Sequence, residues 1–228
     1  MKRLTDIILS FLSLIVLLPL FLLIIIILRI TGEGEIFYLQ NRVGLKGKSF
    51  KIVKFATMLK ESPNIGAGEI TLKNDPRVLP FDKFLRKSKI NELPQLYNIL
   101  IGQMSIVGPR PMTVDTYTNY PNHVREKLYE LRPGLTGIGS IVFRDEERYL
   151  NNLDNVQVFY REQIIPHKCD LEVWFAKNNT YWVYIKIIYA TVCVVLFPNK
   201  NTVYRLFDGM PKLPDSLILK NDLDEISK

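Results

Sequence analysis

Cysteine and histidine are scarce in this chain, whose 228 residues include only two of each. Cys169 and Cys193 do not have the paired spacing of a metal-binding motif, and a structural zinc ion takes four cysteine or histidine ligands. The sequence therefore argues against a zinc centre. So few cysteines also indicate a reducing compartment that faces the cytosol, where disulfides are rare.

Acidic residues are also in deficit, because 23 Asp and Glu oppose 30 Lys and Arg, for a formal net charge of +7. An excess of positive charge predicts an anionic partner, which could be nucleic acid, a lipid headgroup surface or a phosphorylated substrate. Charge alone does not choose among them. Hydrophobic residues make up 47% of the chain, which is enough for one substantial domain and an accessory segment.

Charge is almost absent from the N-terminal segment, where the run from Ile7 to Ile30 carries a single charged residue, Arg29. About 20 apolar residues suffice to span a bilayer. The run is too long for the apolar region of a signal peptide, and no small-residue cleavage site follows it. We therefore predict a membrane segment over residues 1–31.

Pro19 divides this segment near its midpoint, and each half forms a helix about 18 Å long at the usual rise per residue. Proline removes a backbone hydrogen bond and predicts a kink. Basic residues flank the segment on both sides, with Lys2 and Arg3 before it and Arg42 among those that follow. Because such residues favour the cytoplasmic side, this pattern favours a re-entrant membrane helix kinked at Pro19. A kinked helix that spans the membrane once remains the alternative.

The remainder predicts an α+β fold that is mostly helical. Two β-rich runs, 36–40 and 50–55, surround a Gly and Lys turn and predict a small β-hairpin; a Gly-, Asn- and Pro-containing loop follows at 60–76. The runs "VLPFDKFLRKSKI" and "ELPQLYNILIG" predict two helices that meet near Asn91. The apolar run "YWVYIKIIYATVCVVLF" is short for a span and predicts an amphipathic interfacial helix. We expect a cytoplasmic domain over 32–207 and a polar C-terminal tail over 208–228.

Two short stretches carry residue types suited to phosphate chemistry. "KINELPQL" sets the carboxylate Glu92 beside the amide Asn91, and "VGPRP" holds Arg110 between two prolines. Proline restricts the backbone on both sides of a guanidinium, the group best suited to bidentate phosphate contact. An Arg beside a carboxylate can bind a diphosphate and a metal ion, or it can form a structural ion pair. The residues alone leave both readings open.

The run "LRKSKINELPQLYNILIGQMSIVGPRP", with "QNRVG", "FKIVKFATM" and "LRPGLTG" in the same order, resembles the bacterial sugar transferase family of monotopic phosphoglycosyl transferases. The resemblance covers residues 1 to about 195. It implies an enzyme on the cytoplasmic face of the bacterial inner membrane, in contact with membrane lipid. The implied reaction transfers a sugar 1-phosphate from a UDP-sugar to undecaprenyl phosphate, releases UMP and initiates a surface glycan such as exopolysaccharide, capsule or O-antigen. A homodimer or a glycosyltransferase partner is left open.

The family uses an Asp-Glu dyad, in which the Asp attacks the β-phosphate and the Glu binds Mg²⁺. The matching catalytic positions here are Asn91 and Glu92, so the resemblance implies Mg²⁺ as cofactor with Glu92 as its ligand. Asn91 is a neutral amide and lacks the anionic oxygen that covalent catalysis at phosphorus requires. The chain departs from the family pattern at four further positions: Leu18, Ala56, Gln103 and Tyr184.

The matched motifs imply a basic set that binds the phosphates of the substrate: Arg42, Lys51, Lys54, Arg86, Arg110 and Arg132. A solvated basic face is the alternative. The acidic residues at 145–147 could replace the missing carboxylate, although the start of a helix explains them more simply, because its dipole favours negative charge.

Three functions are consistent with these residues. The first is an active transferase that uses Glu92 or a direct attack by the lipid phosphate. The second is a catalytically impaired relative that binds a nucleotide sugar or a partner glycan enzyme, since Asn91 replaces the nucleophile. The third, a membrane-tethered protein that binds nucleic acid, is disfavoured because the basic residues lie in small rigid loops without interleaved aromatic residues. We expect no nucleic-acid partner.

Overall fold

The structure is a computed structural model, and it describes residues 1–31, 33–58, 78, 80–144, 146–150, 155–196 and 201–217. The described chain is mostly helical and contains two small two-stranded sheets, which confirms the α+β class. The loop predicted at 60–76 lies outside these ranges. The second sheet, which is parallel, was not expected from the sequence.

The N-terminal segment forms two helices, α1 (Lys2–Val16) and α2 (Leu18–Thr31). They are bent by 60° relative to one another. Pro19 lies in the first turn of α2, where a missing N–H costs no intrahelical bond, so the predicted kink falls at Leu17, just before the proline. Among the described residues, α1 and α2 together have the length and apolar composition of a membrane span, and neither helix has them by itself.

The predicted hairpin is present as strands β1 (Phe37–Val43) and β2 (Ser49–Phe55), which pair antiparallel from Phe37 opposite Phe55 to Val43 opposite Ser49. A single 3₁₀ turn, Leu45–Gly47, joins them. Strand β1 continues beyond the predicted run at 36–40, through the polar residues Asn41 and Arg42. Its end is held by the Val43 N–H, which donates to the carbonyl of Met112 at 2.9 Å.

The two predicted helices around Asn91 are α3 (Pro80–Lys87) and α4 (Gln95–Leu100), and the 3₁₀ turn Ile90–Glu92 lies between them. Strand β3 (Ser105–Val107) follows and pairs in parallel with β4 (Gly134–Thr136). Helices α5 (Val114–Thr118) and α6 (Asn122–Tyr129) lie between these strands in the chain. Gly108 is required where the chain leaves β3, because a Cβ there would lie 2.2 Å from the carbonyl oxygen of Arg132.

The C-terminal part contributes most of the core. Its elements are α7 (Ile138–Val142), the 3₁₀ turn Glu146–Arg148, α8 (Val156–Phe159), a π-helical turn (Tyr160–Ile164), α9 (Ile165–Lys177), α10 (Tyr181–Leu196), α11 (Asn201–Leu206) and the 3₁₀ turn Asp215–Leu217. The largest buried cluster joins α7, α9, α10 and α11. Met210 and Leu217 belong to this cluster, so the beginning of the predicted polar tail packs on the core through two apolar side chains.

Candidate active site

The Glu92 carboxylate is the centre of the candidate site. Its Oε1 atom accepts from Lys54 Nζ at 3.1 Å and from an Arg110 guanidinium nitrogen at 3.2 Å. The side chains of Lys54 and Glu92 are only 17% and 13% exposed, whereas Arg110 is 51% exposed. One carboxylate oxygen therefore holds two cations, and the more exposed cation faces the solvent from which a substrate would arrive.

Three separate elements bring these groups together. Lys54 projects from β2, Glu92 ends the 3₁₀ turn after α3, and Arg110 lies in the loop after β3. This loop is held on both sides of Arg110, because the Pro109 carbonyl accepts from the Gly134 N–H at 2.8 Å and the Pro111 carbonyl accepts from Arg42 at 3.3 Å. The guanidinium is thus carried by a restrained backbone.

The electrostatics of the site favour an anionic ligand. Burial by itself would raise the pKa of Glu92, but attraction to Lys54 and then to Arg110 holds that pKa well below its usual range. Burial lowers the pKa of Lys54 to about 8, against the opposing attraction of Glu92, and Arg110 and Arg42 add repulsion. Glu92 is therefore ionised, and it faces more positive charge than it can neutralise.

The Asn91 side chain faces inward next to Glu92. Asn91 is 7% exposed, and its Oδ1 atom has no hydrogen-bond donor among the described residues. A buried acceptor without a donor costs about 1–3 kcal/mol. The Asn91 amide oxygen is therefore an unsatisfied acceptor, enclosed by protein next to Glu92.

The structure groups only part of the predicted basic set around Glu92. Arg42 lies near Lys54 on the same face of the hairpin, and Arg110 contacts Glu92 directly. Lys51 is exposed and occupies the opposite face of β2, because it is an odd number of residues from Lys54. The remaining two members of the predicted set, Arg86 and Arg132, have other partners. Arg86 lies on α3 near Asp82, and Arg132 donates through Nε to the Gly102 carbonyl at 3.2 Å.

A second charged group lies behind Arg110 and was missed by sequence reasoning. Lys168 Nζ lies 2.6 Å from Glu146 Oε1 and donates to the Tyr160 hydroxyl oxygen at 2.9 Å. After the Glu92 carboxylate, Glu146 and Tyr160 also raise the pKa of Arg110. Glu146 begins a single 3₁₀ turn, so the helix start that the acidic stretch predicted is a short 3₁₀ turn and not an α-helix. Asp145 lies outside the described residues.

A pocket opens beside Arg110, between the hairpin turn and the region that connects β3 to β4. It is a shallow depression, which in this structure does not enclose a volume large enough for a nucleoside. Its walls include two tyrosines, Tyr117 and Tyr129, and the rings of Pro109 and Pro133. Arg110 lines this depression and also contacts Glu92, so the depression adjoins the charged centre.

The oxygen donors at the site fit Mg²⁺ in a limited way. Within the described chain no group of three or more His, Cys, Asp or Glu side chains could hold a metal ion. Mg²⁺ however needs only one or two protein carboxylates, because waters and substrate phosphates complete its shell. Both described ion-pair contacts of Glu92 use Oε1, so its Oε2 atom is the carboxylate oxygen that suits the ion.

The site is a carboxylate held by two cations, an arrangement that suits an anionic ligand. Residues 1–198 match the bacterial sugar transferase family. Because this match covers most of the chain, the protein belongs to that family, and the resemblance carried by its motifs is confirmed.

Several named relatives are similar to this chain. A UDP-glucose:undecaprenyl-phosphate glucose-1-phosphate transferase of Klebsiella pneumoniae is 34% identical over 84% of this chain and 39% of its own length. An undecaprenyl-phosphate galactose phosphotransferase of Salmonella typhimurium is 33% identical over 86% of this chain and 40% of its own length. The exopolysaccharide production protein ExoY of Sinorhizobium fredii is 39% identical over 65% of this chain and 71% of its own length. The chain thus spans about two-fifths of the first two relatives and more of the third.

Proposed function

We propose that this protein transfers a sugar 1-phosphate from a UDP-sugar to undecaprenyl phosphate and so initiates a lipid-linked surface glycan. The observation that carries the proposal is the Glu92 carboxylate held by Lys54 and Arg110 at 3.1 and 3.2 Å, within the residues that match the family. Two relatives are named for a reaction of this kind with undecaprenyl phosphate. A catalytically impaired binding protein is not favoured by these names.

The charged centre suits the diphosphate of the UDP-sugar. Arg110 is the half-exposed cation, and its planar guanidinium can contact two phosphate oxygens at once. Lys54 supplies a second charge at closer range to Glu92. The depression beside Arg110 offers aromatic surface from Tyr117 and Tyr129, against which the uracil ring would stack. This arrangement would leave the sugar and the β-phosphate facing Asn91 and Glu92.

The residues favour a direct displacement. The amide of Asn91 carries no anionic oxygen, and the strongly depressed pKa of Glu92 makes its carboxylate a weak nucleophile. A phosphate oxygen of undecaprenyl phosphate would then attack the β-phosphorus of the UDP-sugar and form a new P–O bond. The bond between that phosphorus and the bridging oxygen breaks, UMP leaves with the electron pair, and the lipid diphosphate sugar remains. Both substrates must be bound at once.

Mg²⁺ would be held by Glu92 together with phosphate oxygens of the substrate. When bound, the ion supplies positive charge that neutralises the diphosphate. Lys54 and Arg110, which contact Oε1 of Glu92, would orient the same phosphates.

The first test is UMP release from a panel of UDP-sugars by the purified protein in lipid nanodiscs, with and without undecaprenyl phosphate. Direct displacement predicts UMP release only when the lipid phosphate is present. Release without the lipid, together with a sugar-phosphate adduct detected by intact-protein mass spectrometry, would contradict the direct step. Binding of a UDP-sugar without any release would support the impaired alternative.

We further propose that α1 and α2 form a re-entrant membrane segment and that the remaining domain lies on the cytoplasmic face of the bacterial inner membrane. The 60° bend and the exposed apolar side chains of both helices support this, as does Trp182, which is 75% exposed on α10. Aromatic side chains of this kind favour the interface of a bilayer. The domain limits 1–31, 32–207 and 208–228 belong to the same proposal.

Single cysteines test this topology. Cys169 and Cys193 are both free, so a background without them accepts one new cysteine at Thr5 or at Thr31. A re-entrant segment keeps both positions from reacting with a membrane-impermeant thiol reagent added outside intact cells, while both react after the cells are opened. Labelling of only one position in intact cells would indicate a spanning helix.

A further inference from the structure

Asp6, in the second turn of α1, is a fully buried carboxylate that contacts two distant parts of the chain. It is 2% exposed. Its oxygens accept from the Ser105 hydroxyl at 2.9 and 3.0 Å, and Oδ1 also accepts from the Ile106 N–H at 2.8 Å and the Tyr184 hydroxyl at 2.7 Å. Because a buried carboxylate is costly unless donors surround it, these contacts define its position closely.

Arg3, one turn before Asp6, contacts a different element. Its two terminal guanidinium nitrogens donate to the carbonyls of Ile99 and Leu100 at 2.6 and 2.8 Å. These carbonyls end α4, where the last groups of a helix have no intrahelical donor. The first turns of α1 therefore hold the end of α4 and the start of β3 at the same time.

Both of these elements lead directly to the candidate site. Helix α4 begins at Gln95, three residues after Glu92, and β3 ends at Val107, three residues before Arg110. Glu92 precedes α4 and Arg110 follows β3, while α1 contacts the end of α4 and the start of β3. The contact between Glu92 and Arg110 therefore joins two segments that α1 also holds. A shift of β3 relative to α4 would change the 3.2 Å separation of this pair.

We infer that Asp6 is a positioning residue, which sets the place of Arg110 relative to Glu92 by fixing β3 against α1. The inference rests on the proposed function, because its main readout is the binding of a nucleoside diphosphate. It assigns to the N-terminal helix a role in the geometry of the site in addition to its proposed role in the membrane.

The test is a double-mutant cycle between Asp6→Leu and Arg110→Ala, with the binding of UDP in the presence of Mg²⁺ measured by calorimetry in nanodiscs. Asp6→Leu should weaken UDP binding about tenfold on its own and by less than about twofold once Arg110 is absent, since coupled residues are not additive. Losses that simply multiply would overturn the inference, as would unchanged binding by the folded Asp6→Leu variant.

Two variants separate positioning from general damage. Asp6→Asn keeps an acceptor for the Ile106 N–H and the Tyr184 hydroxyl, and its amide can donate to Ser105, so UDP binding should remain close to that of the wild type. Ser10→Ala is the matched control, because Ser10 is equally buried on α1 but, among the described residues, its hydroxyl donates only to the Ile7 carbonyl of its own helix. It should leave UDP binding unchanged. Failure of Asp6→Asn to restore binding would contradict the role assigned to the acceptor.

If Asp6→Leu does not fold, Ser105→Ala replaces it in the same double-mutant cycle. Ser105→Ala should weaken UDP binding by less than Asp6→Leu, and this loss of binding should again disappear in the Arg110→Ala background. A readout without ligand is hydrogen exchange of the peptide over 105–112, which should be faster in the Asp6 or Ser105 variant and unchanged in Ser10→Ala. Equal exchange in all variants would overturn the inference even if the wild type bound no UDP. Absence of UDP binding by the wild type would count against the proposed function instead.

Discussion

Lys54 and Glu92 form an ion pair of 3.1 Å in which both side chains are largely withdrawn from solvent. Such a pair adds little to stability, since the cost of removing both charges from water offsets their attraction. Arg110 contacts the same carboxylate oxygen at 3.2 Å, so two cations face one carboxylate. The site therefore carries an excess of positive charge. A diphosphate would find two cations already oriented.

Arg110→Ala should weaken the binding of a UDP-sugar by about 1.5–3 kcal/mol, the range for hydrogen bonds to charged groups. The fold should remain intact, because the Arg110 side chain is half-exposed. Calorimetry gives the affinity and thermal unfolding gives the control for folding. Arg110→Lys, which keeps the charge but not the planar pair of donors, should bind with intermediate affinity. Unchanged affinity with loss of the fold would make Arg110 a structural ion-pair partner.

The affinity for a UDP-sugar should fall as the pH rises through about 8, because burial lowers the pKa of Lys54 to about 8. Below that pH Lys54 is charged and attracts the diphosphate. Above it Lys54 is neutral in the free protein and must bind a proton before it can attract the diphosphate, which weakens binding. Lys54→Arg keeps its charge throughout, so its affinity should be independent of pH in this range. The same pH dependence in both proteins would exclude Lys54 as its source.

Asn91→Asp should create or increase UMP release in the absence of undecaprenyl phosphate. The new carboxylate supplies the anionic oxygen that the amide lacks, so a covalent sugar-phosphate intermediate can form before the lipid binds. UMP release and intact-protein mass spectrometry on both proteins measure the effect, and Asn91→Ala is the control that removes the amide without adding charge. An adduct on the unmodified protein that maps to Glu92 would contradict our account.

Glu172→Gln should raise the melting temperature at pH 8 and leave it nearly unchanged near pH 4.5, since burial on α9 raises the Glu172 pKa from 4.5 to about 8. The folded protein keeps this proton up to about pH 8, whereas the unfolded chain releases it near 4.5, so stability falls as the pH rises between these values. Gln cannot ionise, so Glu172→Gln removes this loss of stability as the pH rises.

The control for this prediction is Glu162→Gln, because Glu162 is exposed on the preceding π-helical turn. It should not alter the dependence of the melting temperature on pH. A wild-type protein whose stability did not fall between pH 4.5 and 8 would contradict the raised pKa.

The sequence by itself determined the local elements and the family. Alternating β-rich runs around a glycine turn predicted the hairpin, helical spacing predicted α3 and α4 around Asn91, and Pro19 predicted the bend between α1 and α2. These features depend on neighbours within a few residues, which is why they could be predicted. The long motifs around Glu92 and Arg110 predicted the family for the same reason, since their order is written along the chain.

Only the tertiary structure decided which charges meet. Lys51 and Lys54 are alike in sequence, but the alternation of β2 directs only Lys54 towards Glu92, and that depends on which face of the hairpin packs on α4. In the sequence Asp6 is a single acidic residue before an apolar run. In the structure its carboxylate accepts hydrogen bonds from Ser105 and Tyr184, which are 99 and 178 residues away. Contacts at such separation depend on how the helices pack against one another, which no local pattern specifies.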